Sequence, residues 1–212
     1  SSDVCSSDLI PVGMYGTAFG AAAVSAGFSV LQSCAFSLLL FSGASQFAVV
    51  GVMGAGGTAF SAITTGALLG IRNGLYGMRL APILRLSGWR RFFGSHITID
   101  ESTGVALAQR DENSARLGFL VTGVGVFVFW NLFTLFGAIG AQTLGNPSSW
   151  GLDAAVPAAF LGLVWPRLTS SRSRFAAGAS IVMALFLSPY FSAGFPIIAT
   201  VAVAIILGWR SV

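Results

Sequence analysis

Lysine is absent from this chain, and charge of either sign is scarce: eleven arginines and seven carboxylates make up 8% of the 212 residues. With 55% hydrophobic residues against so little charge, a water-soluble domain of this length would leave a large apolar surface in water. Lipid must therefore be the solvent for much of the chain. Cysteine is nearly missing too; Cys5 and Cys34 supply neither a disulfide framework nor the spacing of a metal site. His96 is the one histidine, so no histidine cluster can hold a metal. The arginines lie between apolar runs rather than gathered with aromatics on a polar face, a pattern that excludes a nucleic-acid-binding surface.

What is present is a series of apolar runs. A crossing needs about 20 apolar residues to span a hydrocarbon core of roughly 30 Å, so the chain has room for some six to eight crossings and no hidden soluble domain. The runs cover 11–31, 34–53, 59–84, 117–141, 152–165, 175–187 and 193–209. Gln32-Ser33 marks a tight turn between the first two, and residues 54–58 form a Gly-rich turn before the third. Residues 85–116 form a polar stretch in which 99–109 is predicted to be a short helix that dips into the membrane without crossing it. The fold predicted is all-α: a polytopic helical membrane protein of about seven transmembrane helices with a re-entrant or interfacial segment. Residues 1–9, with a polar near-repeat and neither the basic nor the apolar region of a signal peptide, are expected to be an artefactual or disordered leader. Residues 10–212 then form a single transmembrane transporter domain.

The arginines test this layout, because Arg-bearing loops stay on the cytoplasmic side. With 85–116 inside, the loops at 167–174 and at Arg210 also fall inside, whereas those at 145–150 and Pro189 fall outside. Nine arginines then face the cytoplasm, and the other two, Arg72 and Arg79, lie within the third run. Gly16-Gly20, Gly66-Gly70 and Gly70-Gly74 are spaced four apart, which predicts close helix packing, or else a dimerisation face.

Arg72 is near mid-span, where a charged residue costs about 2.5–3.5 kcal/mol on insertion scales and marks a functional site by default. Tyr76 and Arg79 follow on the same helical face. That face offers a guanidinium fork for a carboxylate; the plainer uses are a buried pair for Arg72 and snorkelling for Arg79. Thr98-Ile99-Asp100-Glu101 fits a capping box, with Asp100 or Glu101 as the alternative carrier of a coupling proton or holder of a substrate ammonium. His96 is expected to be solvated, or else to carry a proton. Gln46 and Asn131 are placed to hydrogen-bond across helices or to touch a substrate, and Asp153 to cap a short helix. Pro82 and Pro157 are expected to kink or break their helices and free carbonyls.

Four segments resemble the AzlC family of branched-chain amino acid exporter subunits. They are Gly43-Ala44-Ser45-Gln46-Phe47, Ile71-Arg72-Asn73-Gly74-Leu75-Tyr76-Gly77 continuing through Leu80-Ala81-Pro82, residues 98–101, and Gly151-Leu152-Asp153 through Pro157 to Phe160. The resemblance implies a multi-pass protein of the bacterial cytoplasmic membrane that exports valine, leucine, isoleucine or similar solutes. It also implies a small hydrophobic AzlD-like partner, no cofactor, and drive from the proton gradient. Asn73 stands where a histidine is expected and Arg79 where a small residue is, which weakens a proton role at 73. An aliphatic amino acid needs a cation for its carboxylate, an acceptor for its ammonium and an apolar pocket. Arg72, Asn73, Tyr76 and Gln46 are the substrate-binding candidates, and Asp100 and Glu101 the coupling carboxylates, around which access would alternate.

Two other classes compete. A passive pore or accessory assembly subunit would show flux indifferent to the proton gradient, or none alone. An intramembrane hydrolase would need Ser45 as nucleophile with His96 as base.

Overall fold

A computed structural model describes residues 2–143, 155–165 and 168–209. Among the described residues every regular element is an α-helix, as the apolar runs predict.

The first run does not continue to residue 31. Helix α1 (Ser2–Ser25) stops before Gly27, whose φ of 93° is costly for any residue with a Cβ. Helix α2 (Val30–Leu39) then starts from Ser29, whose hydroxyl accepts from the Gln32 N–H at 3.1 Å while the Gln32 carboxamide accepts from the Ser29 N–H at 2.8 Å. Gln32 and Ser33, expected to be the turn, therefore lie inside the helix that they help to start. Residues 2–9, the segment expected to be an artefactual or disordered leader, fall within the bounds of α1.

The second run is broken in its middle. α2 closes at Leu39, and α3 (Gly43–Gly54) opens after Ser42, which is extended at φ −156° and ψ 102°. At about 1.5 Å per residue the two helices are roughly 15 and 18 Å long, each about half of a hydrocarbon core. The uninterrupted crossing over 34–53 is thus replaced by two half-length helices.

Helix α4 (Ala59–Leu84) reproduces the third run. Thr58 caps it by accepting from the Ser61 N–H, and it ends at Arg85 in the left-handed region, φ 48°. Pro82 falls in the closing turn and breaks nothing further upstream; its carbonyl accepts from Arg85 Nε at 3.2 Å. The polar stretch holds α5 (Gly88–His96) and α6 (Asp100–Ala108), the latter being the short helix predicted over 99–109.

Helix α7 (Glu112–Thr143) carries the fourth run and, among the described residues, is the helix long and apolar enough to cross a membrane unaided. Asp111 accepts from the Ser114 N–H at 2.9 Å, and this bond holds its carboxyl below the usual range. The chain continues through α8 (Ala155–Val164), α9 (Ser171–Leu187), α10 (Phe195–Ala199) and α11 (Val201–Trp209). Pro157 sits in the first turn of α8, where its missing N–H has no intrahelical partner to lose, so the helix is not broken there. Asp153, the turn at 145–147, Arg167 and Arg210 lie outside the described residues.

The core is the seam between α1 and α7. Phe19 is fully buried, its ring edge-on to Phe47 at 5.6 Å and stacked with Trp130 at 6.3 Å. Glycines set the depth of the seam: a Cβ at Gly20 would run into the Thr134 and Ala138 backbone, and one at Gly137 into the Thr17 backbone. The spacing at Gly16-Gly20 is thereby explained as packing within the chain. Gly66 packs on Val49, whereas a Cβ at Gly74 meets nothing within 4 Å. α9 has no buried residue among those described and packs mainly on α10 and α11.

Substituting Gly20→Val or Gly137→Val should destabilise the protein by about 3 kcal/mol, because backbone rather than a flexible side chain must give way. Gly74→Ala should be close to neutral. Unfolding midpoints in detergent micelles check both.

Candidate functional site

The helix break creates the site. Residues Phe41 to Ala44, the start of α6 at Ile99 to Glu101, and Arg72 and Asn73 of α4 together line a cavity of about 240 Å³, with Trp130 of α7 as a further wall. Two helix starts thus meet one mid-helix cation. The first N–H groups of a helix lack intrahelical partners and carry its positive end. At α3 the Ser42 side chain makes no capping bond; its hydroxyl donates to Ser45 Oγ at 3.2 Å instead.

Arg72 Nη1 donates to Asp100 Oδ2 at 2.8 Å, and the two side chains are 30% and 25% exposed. Arg72 Nε and Asn73 Oδ1 are buried and have no hydrogen-bond partner. Two successive residues of α4 therefore carry a cationic donor and a neutral acceptor that are without hydrogen-bond partners. Glu101 also lines the cavity. Asp100 and Glu101 occupy the first turn of α6, where negative charge is favoured by the helix dipole.

The remaining candidates are placed differently. Tyr76 is half-buried one turn from Arg72, and Arg79 is exposed two turns away; neither lines the cavity. Gln46 is fully buried behind the wall. Its Nε2 donates to the carbonyls of Leu40 at 2.5 Å and Ser37 at 3.3 Å, and its Oε1 accepts from Trp130 Nε1 at 2.8 Å. Every polar atom of that carboxamide is thus engaged in holding the break.

Three local expectations are corrected. Thr98 does not start α6: its hydroxyl donates back to the Gly94 carbonyl at 2.8 Å, and the Ile99 N–H is met by Ser102 Oγ at 3.1 Å. The cap is thus shifted by one residue, with the Ser102 hydroxyl accepting from the backbone N–H just before the helix. Asn131 Nδ2 bonds to Phe127 O of its own helix at 2.8 Å rather than across to another. His96 is not simply solvated: its Nε2 lies 2.9 Å from Leu38 O, and its ring packs against Phe41 and Phe127. Ser45 and His96 share no hydrogen bond, so the structure does not bring the hydrolase pair together.

Trp130 is the residue that sequence reasoning missed. It lies inside an apolar run and looks like filler, yet a buried indole N–H needs an acceptor, and that requirement was the available signal. Its partner, Gln46, is 84 positions away.

Gln46→Leu should cost roughly 2–5 kcal/mol by stranding carbonyls and an indole N–H, and Trp130→Phe about 1–3 kcal/mol. The double substitution should cost less than the sum, because the two share one bond. A double-mutant cycle on unfolding midpoints measures this.

The family model described as "AzlC protein" matches residues 9–144, which include every cavity residue named above. The chain is 32% identical to "Inner membrane protein YgaZ" of Escherichia coli (strain K12) over 159 residues, covering 73% of this chain but 62% of that relative, less than two thirds of its length. It is 30% identical to an "Uncharacterized membrane protein" of Archaeoglobus fulgidus over 198 residues, covering 90% of this chain and 85% of that relative. Neither is named for an enzymatic activity. No solved structure matches.

Proposed function

The chain belongs to the AzlC family, and from that premise we propose that this membrane protein is a transporter subunit that exports branched-chain or similar aliphatic amino acids across the bacterial cytoplasmic membrane. One observation carries the reading: Arg72, in the middle of α4 and paired with Asp100, lines a cavity formed where two helices begin, and its Nε is buried without a hydrogen-bond partner. A volume of about 240 Å³ is below the roughly 300–1,000 Å³ of pockets for drug-sized ligands and suits a solute of amino-acid size.

In this reading the solute carboxylate binds the Arg72 guanidinium and the N–H groups at the start of α3. Its ammonium binds Asp100 or Glu101 together with Asn73 Oδ1. The side chain lies against Phe41, Val126 and Trp130, which line the cavity. Proton coupling follows from mutual exclusion: a carboxylate can hold an ammonium only while ionised, so a proton and a solute are alternatives at Asp100 or Glu101. Exchange of an outgoing amino acid for an incoming proton is the result. The small AzlD-like partner implied by the family resemblance completes the proposal.

Efflux of preloaded labelled valine, leucine and methionine, with and without the co-encoded small partner, is the direct test. Arg72→Gln should lower efflux by about tenfold or more, the loss of a charged hydrogen bond to the solute. Asp100→Asn or Glu101→Gln should flatten its dependence on external pH. Normal export by Arg72→Gln would remove the site assignment, and flux indifferent to the proton gradient in the wild type would favour a passive pore.

A further inference from the structure

Helix α5 stands apart from the cavity in composition and in surroundings. Its sequence is Gly-Trp-Arg-Arg-Phe-Phe-Gly-Ser-His, and no Asp or Glu occurs between residues 86 and 99. At about 100° per residue, Trp89, Phe92 and Phe93 fall within roughly a third of the helix circumference, flanked by Arg90 about 60° past Phe93 and Arg91 about 100° past Phe92 on the other side. All three aromatics are exposed, Trp89 by 77% and each Phe by 63%. Their rings meet edge-on, Trp89 to Phe92 at 6.1 Å and Phe92 to Phe93 at 5.7 Å, so they form one patch rather than scattered side chains.

The helix is anchored at its other end. Gly94 is buried against Leu86, and His96 reaches the Leu38 carbonyl. Three nearby basic residues are already paired: Arg72 with Asp100, and Arg85 and Arg116 with Glu112. Arg90 and Arg91 belong to none of those pairs, so their charge is not neutralised within the described residues.

We propose that α5 is an interfacial helix that binds anionic phospholipid, with Trp89, Phe92 and Phe93 in the headgroup–acyl boundary and Arg90 and Arg91 on the phosphates. An indole, with an apolar ring and an N–H that needs an acceptor, settles at that depth, and the two phenyl rings beside it supply the apolar face that enters the acyl chains. A cationic pair beside them selects negatively charged headgroups over zwitterionic ones. The occupant is set by charge complementarity: a purely apolar partner would leave both guanidinium groups unpaired. This inference does not depend on what the cavity transports.

Native mass spectrometry of the full chain, released from micelles doped with phosphatidylglycerol and phosphatidylcholine, reads the preference directly. The wild type should retain phosphatidylglycerol over phosphatidylcholine, and Arg90→Gln with Arg91→Gln should lose roughly fivefold in that ratio per arginine. Arg172→Gln with Arg174→Gln, in the first turn of α9, should change it less. In liposomes, brominated phosphatidylglycerol should quench Trp89, read as the difference between the wild type and Trp89→Phe, more than aqueous iodide does. Equal lipid ratios in wild type and the Arg90/Arg91 double variant would overturn the proposal. So would a Trp89 signal quenched by iodide but not by lipid, or shielded from both by a second protein.

Discussion

Lipid offers no donors, so a carbonyl released from a helix at membrane depth must be met by the protein itself. The interruption between α2 and α3 releases the carbonyls of Ser37 and Leu40, and the Gln46 carboxamide donates to both. Its oxygen is in turn held by the Trp130 indole. One side chain thereby permits the break, ties the first turn of α3 to the last turn of α2, and fixes the orientation of a cavity wall. The cavity is a consequence of that break, because two half-length helices leave open what one continuous helix would fill. Close packing of α1 on α7 at Gly20 and Gly137 supports the arrangement from behind by bringing Phe19, Phe47 and Trp130 together.

The charges divide by environment. Arg85, Glu112 and Arg116 form a network that joins the end of α4 to the start of α7, but Arg85 and Glu112 are 67% and 51% exposed, and such pairs contribute only about 0–1 kcal/mol. Arg72 and Asp100 are less than one third exposed, away from that network, and their pairing offsets part of the cost of placing either charge at depth. A purely structural pair would satisfy its guanidinium completely. Arg72 lines a cavity and keeps a buried Nε without a partner, which distinguishes it from a strut.

Much of this was legible in the sequence, and what was not has identifiable causes. Arg72, Asn73, Asp100 and Glu101 stood out because charged and amide groups are scarce in so apolar a chain, and all four line the cavity. The bounds of α4 followed from Thr58 and from the polar residues after Leu84. Hydropathy could not reveal the breaks at residues 26–29 and 40–42, because Phe28, Leu40 and Phe41 keep both interruptions apolar. Ser29-x-x-Gln32 was a readable capping box passed over for that reason. The role of Gln46 as the brace of a helix break, and that of Trp130 as its partner, depend on a contact 84 residues apart that no local pattern encodes.

Everything at the site requires that the α2–α3 break open on a water-accessible cavity around Arg72 rather than on lipid. Labelling of Ala44→Cys in native membranes by a small charged thiol reagent, with Cys5 and Cys34 replaced by serine, tests it most directly. Ala44→Cys should react and be protected by aliphatic amino acids, while Leu120→Cys, on the exposed face of α7, should stay silent. An Ala44→Cys protein as unreactive as Leu120→Cys would contradict it.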